Sequence, residues 1–174
     1  MTATTATPRA RQHRDQPPDR CAVHVTAWCL PADVAARRAR SLLRSCLQGC
    51  LASEQAVYDL ETVAGELAAN ALRHACGPRE MRMVSHDGVP VVFEIASAGG
   101  DAGYLAERLH IAAASGGSAA VLAESGRGLG IVIRLTGGQC GVRPARILGT
   151  GQAATSVWFA IPPGFFPRST GDTG

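Results

Sequence analysis

The chain has 174 residues, within the range of one compact domain and long enough to bury a substantial core. Its formal net charge is +3, from 17 basic and 14 acidic residues, and every basic residue is arginine. A chain without lysine excludes a Walker-type phosphate loop, a pyridoxal Schiff base and the lysine-dependent eukaryotic protein-kinase site, and arginines dispersed among acids do not point to nucleic acid.

Residues 1–20 are rich in Thr, Ala, Pro and Arg without apolar periodicity and read as a flexible tail; 163–174 read the same way, leaving 21–162 as the folded domain. No apolar run approaches the roughly 20 residues of a membrane span, and the first tail lacks the apolar stretch of a secretion signal. The expected location is therefore the cytoplasm, with no membrane partner. The six cysteines read as buried free thiols, because Cys46 and Cys50 have no second pair or histidine pair nearby to complete a tetrahedral zinc site.

Residues 22–28 alternate as a first strand. Pro31 and Asp33 then open a helix, proline suiting the first turn and an acid its dipole. Val34, Leu42, Leu43, Cys46 and Leu47 form its apolar face, and Arg37, Arg38, Arg40 and Arg44 the other. Ser53 suits the cap of a second helix whose core face is Val57, Leu60, Val63, Ala64, Leu67 and Ala71, ending near Ala75 before Gly77 and Pro78. Residues 79–85 and 89–96 are strands joined at His86-Asp87-Gly88, where Asp-Gly is a strong hairpin signal. The Gly/Ala/Ser-rich residues 97–125 read as a lid-like loop with at most a short helix over 104–114, and loops of that length are usually functional or disordered. Residues 126–135 pass from glycines into an apolar segment, helix or strand, and 141–148 with 155–161 supply two closing strands.

Two features carry chemistry. Glu66, Asn70, Arg73 and His74 share one stripe of the second helix, displaced from its apolar face. A carboxylate and a carboxamide one turn apart suit a general base beside a magnesium-binding oxygen, or else form an ordinary solvated face. In Gly126-Arg127-Gly128-Leu129-Gly130, glycines before a helix let backbone N–H groups approach an anion, and Arg127 adds a fixed charge; a plain turn has the same composition.

The order of these features brings in a resemblance. Glu66-Leu67-Ala68-Ala69-Asn70-Ala71-Leu72-Arg73-His74-Ala75 resembles the N-box of the GHKL ATPase superfamily. Glu124-Ser125-Gly126-Arg127-Gly128-Leu129-Gly130 is similar to its second glycine box, and Ala154-Thr155-Ser156-Val157-Trp158-Phe159 to its last strand. The intervals resemble those of the short anti-sigma-factor serine/threonine kinase branch, over nearly the whole expected fold.

That resemblance implies an α+β fold, a two-layer α/β sandwich of the Bergerat type with helices on one face of a mixed, mostly antiparallel sheet. ATP would be held with Mg2+ between the N-box helix and a mobile lid. Glu66 would be the general base, Asn70 the magnesium ligand, and Arg73 a neighbour in the nucleotide site. Gly126, Arg127, Gly128, Leu129 and Gly130 would wrap the phosphates, and Thr155 would lie near the adenine. The family places an adenine-binding aspartate after the strand that ends here at Ala96, but this chain has Ser97-Ala98-Gly99. Either Ser97 and Gly99 serve the adenine, at a loss on the order of 1 to 2 kcal/mol for a neutral acceptor, or Asp101 does so if the strand runs further.

The resemblance implies a protein serine/threonine kinase that regulates transcription by partner switching, with a sigma factor and an anti-anti-sigma (STAS-type) protein as partners and a homodimer as its own state. The alternative is a non-catalytic nucleotide-binding module acting by protein contact. No aromatic stacking surface accompanies the arginine face of the first helix, so direct nucleic-acid contact is not expected. A sensor histidine kinase is not expected, because these 174 residues leave no room for a separate phosphoacceptor helical domain.

Overall fold

The computed structural model describes residues 22–114 and 127–166, with Arg127 by its backbone only. β1 (Val23–Cys29) leads through a single 3₁₀ turn (Ala32–Val34) into α1 (Ala35–Cys46) and α2 (Glu54–His74). β2 (Arg79–His86) and β3 (Val89–Ala98) follow, then α3 (Ala102–Ala114), α4 (Arg127–Thr136), β4 (Cys140–Arg146) and β5 (Ala153–Ala160). The fold is α+β, with the five strands in the order β1-β2-β3-β5-β4.

Every strand pair is antiparallel, so the sheet expected to be mostly antiparallel has no parallel pair among the described residues. The reason is the place of β5. The strands β3 and β4 run the same way and would pair in parallel as neighbours, but the last strand enters between them.

α2 begins where expected, the hydroxyl of Ser53 accepting from the N–H of Ala56 at 3.2 Å, and all six predicted core residues are buried. On α1 the buried residues are Ala35, Ala39 and Leu43, while Val34, Leu42 and Cys46 are half-buried. α1 and α2 pack against each other, with Ala35, Ala39 and Leu43 in one core with the buried face of α2. The β2–β3 turn has positive φ at both Asp87 (50°) and Gly88 (81°), the requirement of a type I′ hairpin.

Alternate strand residues point to opposite faces. Met81, Met83, Phe93, Ile95, Val157 and Phe159 join the helices in one core, with the Phe93 and Phe159 rings stacked 4.9 Å apart. The other face of β2 and β3 carries charge. Glu94, its side chain 2% exposed, accepts from Arg143 at 2.5 Å, Arg82 at 3.3 Å and the Ser156 hydroxyl at 2.9 Å. Glu80 accepts from Arg82 at 2.7 Å and from the N–H of Leu148 at 2.9 Å. The network thereby ties the β4–β5 turn over this face, where Ile147 packs on Ala96 and Ala98.

The first tail lies outside the described residues, but past Pro162 the chain stays on the body, with Phe165 and Phe166 against the core. The described cysteines are free, yet Cys29 and Cys76 are exposed and Cys46, Cys50 and Cys140 only half-buried, so none is a fully buried thiol. The apolar segment Ile131-Val132-Ile133 is helix, in α4. No helix among the described residues is long and apolar enough to cross a membrane.

Candidate functional site

The Glu66 stripe is brought together with the glycine-rich start of α4 and the ends of β3 and β5. α2 and α4 pack side by side, which lays the first turn of α4 on the middle of α2. Gly128 is the closest point: a Cβ there would overlap the Glu66 carboxylate and stand 3.7 Å from Nδ2 of Asn70. Only a residue without a side chain leaves that carboxylate its place. The N–H groups of a first helical turn lack intrahelical acceptors and favour anions; Gly128, Leu129 and Gly130 all belong to it. Gly126 and the side chain of Arg127 lie outside the described residues.

Asn70 is 3% exposed. Its Oδ1 accepts from Arg73, while its Nδ2 is buried with no partner among the described residues. A buried donor left without an acceptor costs about 1 to 3 kcal/mol. It is the kind of group that a ligand completes. Arg73 itself is exposed at the last turn of α2.

At the sheet, β3 continues two residues beyond the expected end because Ser97 and Ala98 keep pairing with Thr155 and Ala154. Ser97 and Thr155 are thus direct cross-strand partners on the helix side, both buried, and the Thr155 hydroxyl donates to the carbonyl of Gly100 at 3.0 Å. Gly99 turns the chain away with a φ of 77°. Asp101 is exposed and caps α3, its carboxylate accepting from the N–H of Tyr104 at 3.0 Å. The carboxylate offered as the alternative adenine contact is therefore engaged in helix capping, whereas the Ser97 side of the expectation lines the cavity.

That cavity is enclosed by Asn70, His74, Ser97, Gly100, Leu105 and Leu129 among others, and has a volume of about 10 Å³. Such a space holds about one water, so a nucleotide would need α3 and α4 to withdraw Leu105 and Leu129. Sequence reasoning missed Leu105 and His74's companions. His74 lies 5.5 Å from the ring of Tyr104, over which Arg108 sits at 5.7 Å. Partial burial, then the charges of Arg73 and Arg108, push the His74 imidazole below its ordinary value of 6.5. Leu105, Leu109 and Ala112 at helical spacing would have marked α3, but the glycine and serine content of 97–125 masks it. A roomier cavity of about 520 Å³ lies at the far end of β3 and β5, lined by Val89, Pro90, Val91, Thr136, Ile161 and Phe166. Among the described residues it gathers no charged side chain.

Whether magnesium suits these residues follows from their donors. Among the described residues no three His, Cys, Asp or Glu side chains cluster as a metal cage. Magnesium seldom uses one: it takes one or two protein oxygens and completes its shell with water and phosphate oxygens. The Glu66 carboxylate and the Asn70 carboxamide, beside the anion-favouring first turn of α4, suit that requirement.

The family model described as the histidine kinase-like ATPase domain matches residues 29–137, well over half of the chain. No curated protein matches it.

Proposed function

The chain belongs to the histidine kinase-like ATPase domain family, and on that premise we propose that it binds ATP with magnesium and phosphorylates a serine or threonine of a protein partner. The observation that carries this reading is the meeting of Glu66 and Asn70 with Gly128 at the start of α4. A carboxylate, a carboxamide and a helix N-terminus that converge on one point support the roles of base, oxygen ligand and anion binder.

In this reading Glu66 accepts the proton of the substrate hydroxyl. The N–H groups of Gly128, Leu129 and Gly130, with Gly126 and Arg127, hold the phosphates, and Ser97 and Thr155 face the base. Asn70 holds magnesium, which supplies charge neutralisation on the phosphates when bound. A sigma factor and an anti-anti-sigma protein of the STAS type are the proposed partners, the cytoplasm the proposed location, and a homodimer the proposed state.

A second reading has its own support. The neutral hydroxyl of Ser97 and the nearly closed cavity favour a regulatory module that binds nucleotide, or only protein, without turnover. One experiment separates the two: Mg-ATP titration and phosphate transfer to STAS-type proteins, for the wild type and Glu66→Gln. The kinase reading expects near-equal ATP affinity and turnover reduced by about 10² to 10⁴. A wild type that binds nucleotide and phosphorylates no partner it binds favours the module.

A further inference from the structure

The two ends of the Asn70 carboxamide meet different surroundings. Oδ1 accepts a hydrogen bond of 2.5 Å from Nη2 of Arg73, one turn further along α2. Nδ2 is buried without a partner among the described residues and points to the side where a Cβ on Gly128 would stand 3.7 Å away. This orientation is dictated by chemistry. A guanidinium carries donors only, so the carboxamide atom that meets Arg73 must be the oxygen, and the nitrogen is left for the site.

As it stands, Asn70 therefore offers the site a donor, while the oxygen that suits a metal is held by a cation. A guanidinium and a divalent ion cannot share that oxygen at contact distance, since their charges repel in a poorly screened place. We propose that Arg73 competes with magnesium for Asn70. With Arg73 on Oδ1 the residue serves nucleotide as a donor, without metal; with Arg73 swung out, the oxygen is free for magnesium. Arg73 is exposed and sits in the last turn of α2, so its departure disturbs no packing. His74 beside it contributes no competing anion, and Glu66, one turn back, is the nearest carboxylate on the stripe.

This inference rests on the nucleotide reading above. Its test is calorimetric titration of ATP into the full chain, once with Mg2+ and once with EDTA, for the wild type and Arg73→Ala, beside a thermal melt of each. Removing the competitor is expected to tighten Mg-ATP binding by about fivefold or more, the lower end of ordinary coupling between sites, while ATP in EDTA binds equally or more weakly. Mg-ATP affinity that is unchanged or weaker in Arg73→Ala overturns the competition and assigns Arg73 to the phosphates. A wild type that binds ATP in neither condition overturns the nucleotide reading itself, and the competition with it.

Discussion

The first turn of α4 rests on the acid of α2: a Cβ on Gly128 would occupy the space of the Glu66 carboxylate. Because the group in the way is the mobile end of a side chain, Gly128→Ala should shift the carboxylate and spare the fold. Alanine is the better helix former by about 1 kcal/mol, so the melting temperature is expected to hold or rise. If the chain is the proposed kinase with Glu66 as its base, phosphate transfer should fall by about 10²-fold, the effect of misplacing a catalytic group. A variant that melts several degrees lower would instead make Gly128 a packing residue.

Ser97→Asp tests the adenine side. A carboxylate opposite Thr155 restores a charge-assisted acceptor, and ATP affinity should rise about tenfold. The unliganded variant carries a buried charge without a partner and should lose about 1 to 3 kcal/mol of stability, recovered on adding ATP. Asp101→Ala should cost about 1 kcal/mol through the lost cap of α3 and leave ATP affinity alone. If both variants lose affinity, Asp101 is the adenine contact.

On the opposite face, Glu94→Ala should be costly. It leaves Arg82, 7% exposed, with Glu80 as its remaining carboxylate and takes the acceptor from the buried Ser156 hydroxyl, a loss of about 1 to 3 kcal/mol. Arg143→Ala removes a half-exposed partner of the same acid and should cost at most about 1 kcal/mol. Denaturant midpoints of the two variants measure the difference; equal losses would mean that water screens the whole network.

His74 sets a pH dependence. Its folded value lies below the ordinary 6.5, so the unfolded chain takes up the proton first. The histidine's contribution to stability is complete above that value and declines as pH falls through the window beneath it. Melting temperatures from about pH 5 to 8 should show a decline below pH 6.5 in the wild type that is shallower in His74→Gln. Identical slopes would remove His74 as the cause.

How much of this was legible in the sequence varies with the range of the interaction. α2 was readable because its signals are local: a capping serine, a repeating apolar face and a closing Gly-Pro pair. The hairpin was readable from Asp87-Gly88. The end of β3 was not, since Ser97 and Ala98 stay in the strand only through their pairing with a segment some sixty positions later. The same holds for the charged network, where Glu80 reaches Leu148 and Glu94 reaches Arg143. The candidate site divides along the same line. Spacing on one helix put Glu66, Asn70 and Arg73 together, but only packing between α2 and α4 could reveal that Gly128 meets Glu66, or that Leu105 plugs the cavity.

α4 has one further property, its reach. Its 10 residues make a rod of about 15 Å, with one end on Glu66 and the other, at Thr136, in the wall of the 520 Å³ apolar cavity. A short unbroken helix moves as a unit, so its two ends cannot be repositioned independently. The helix backbone therefore holds Gly128, against the Glu66 carboxylate, at a fixed separation from Thr136, beside Val91 and Ile161.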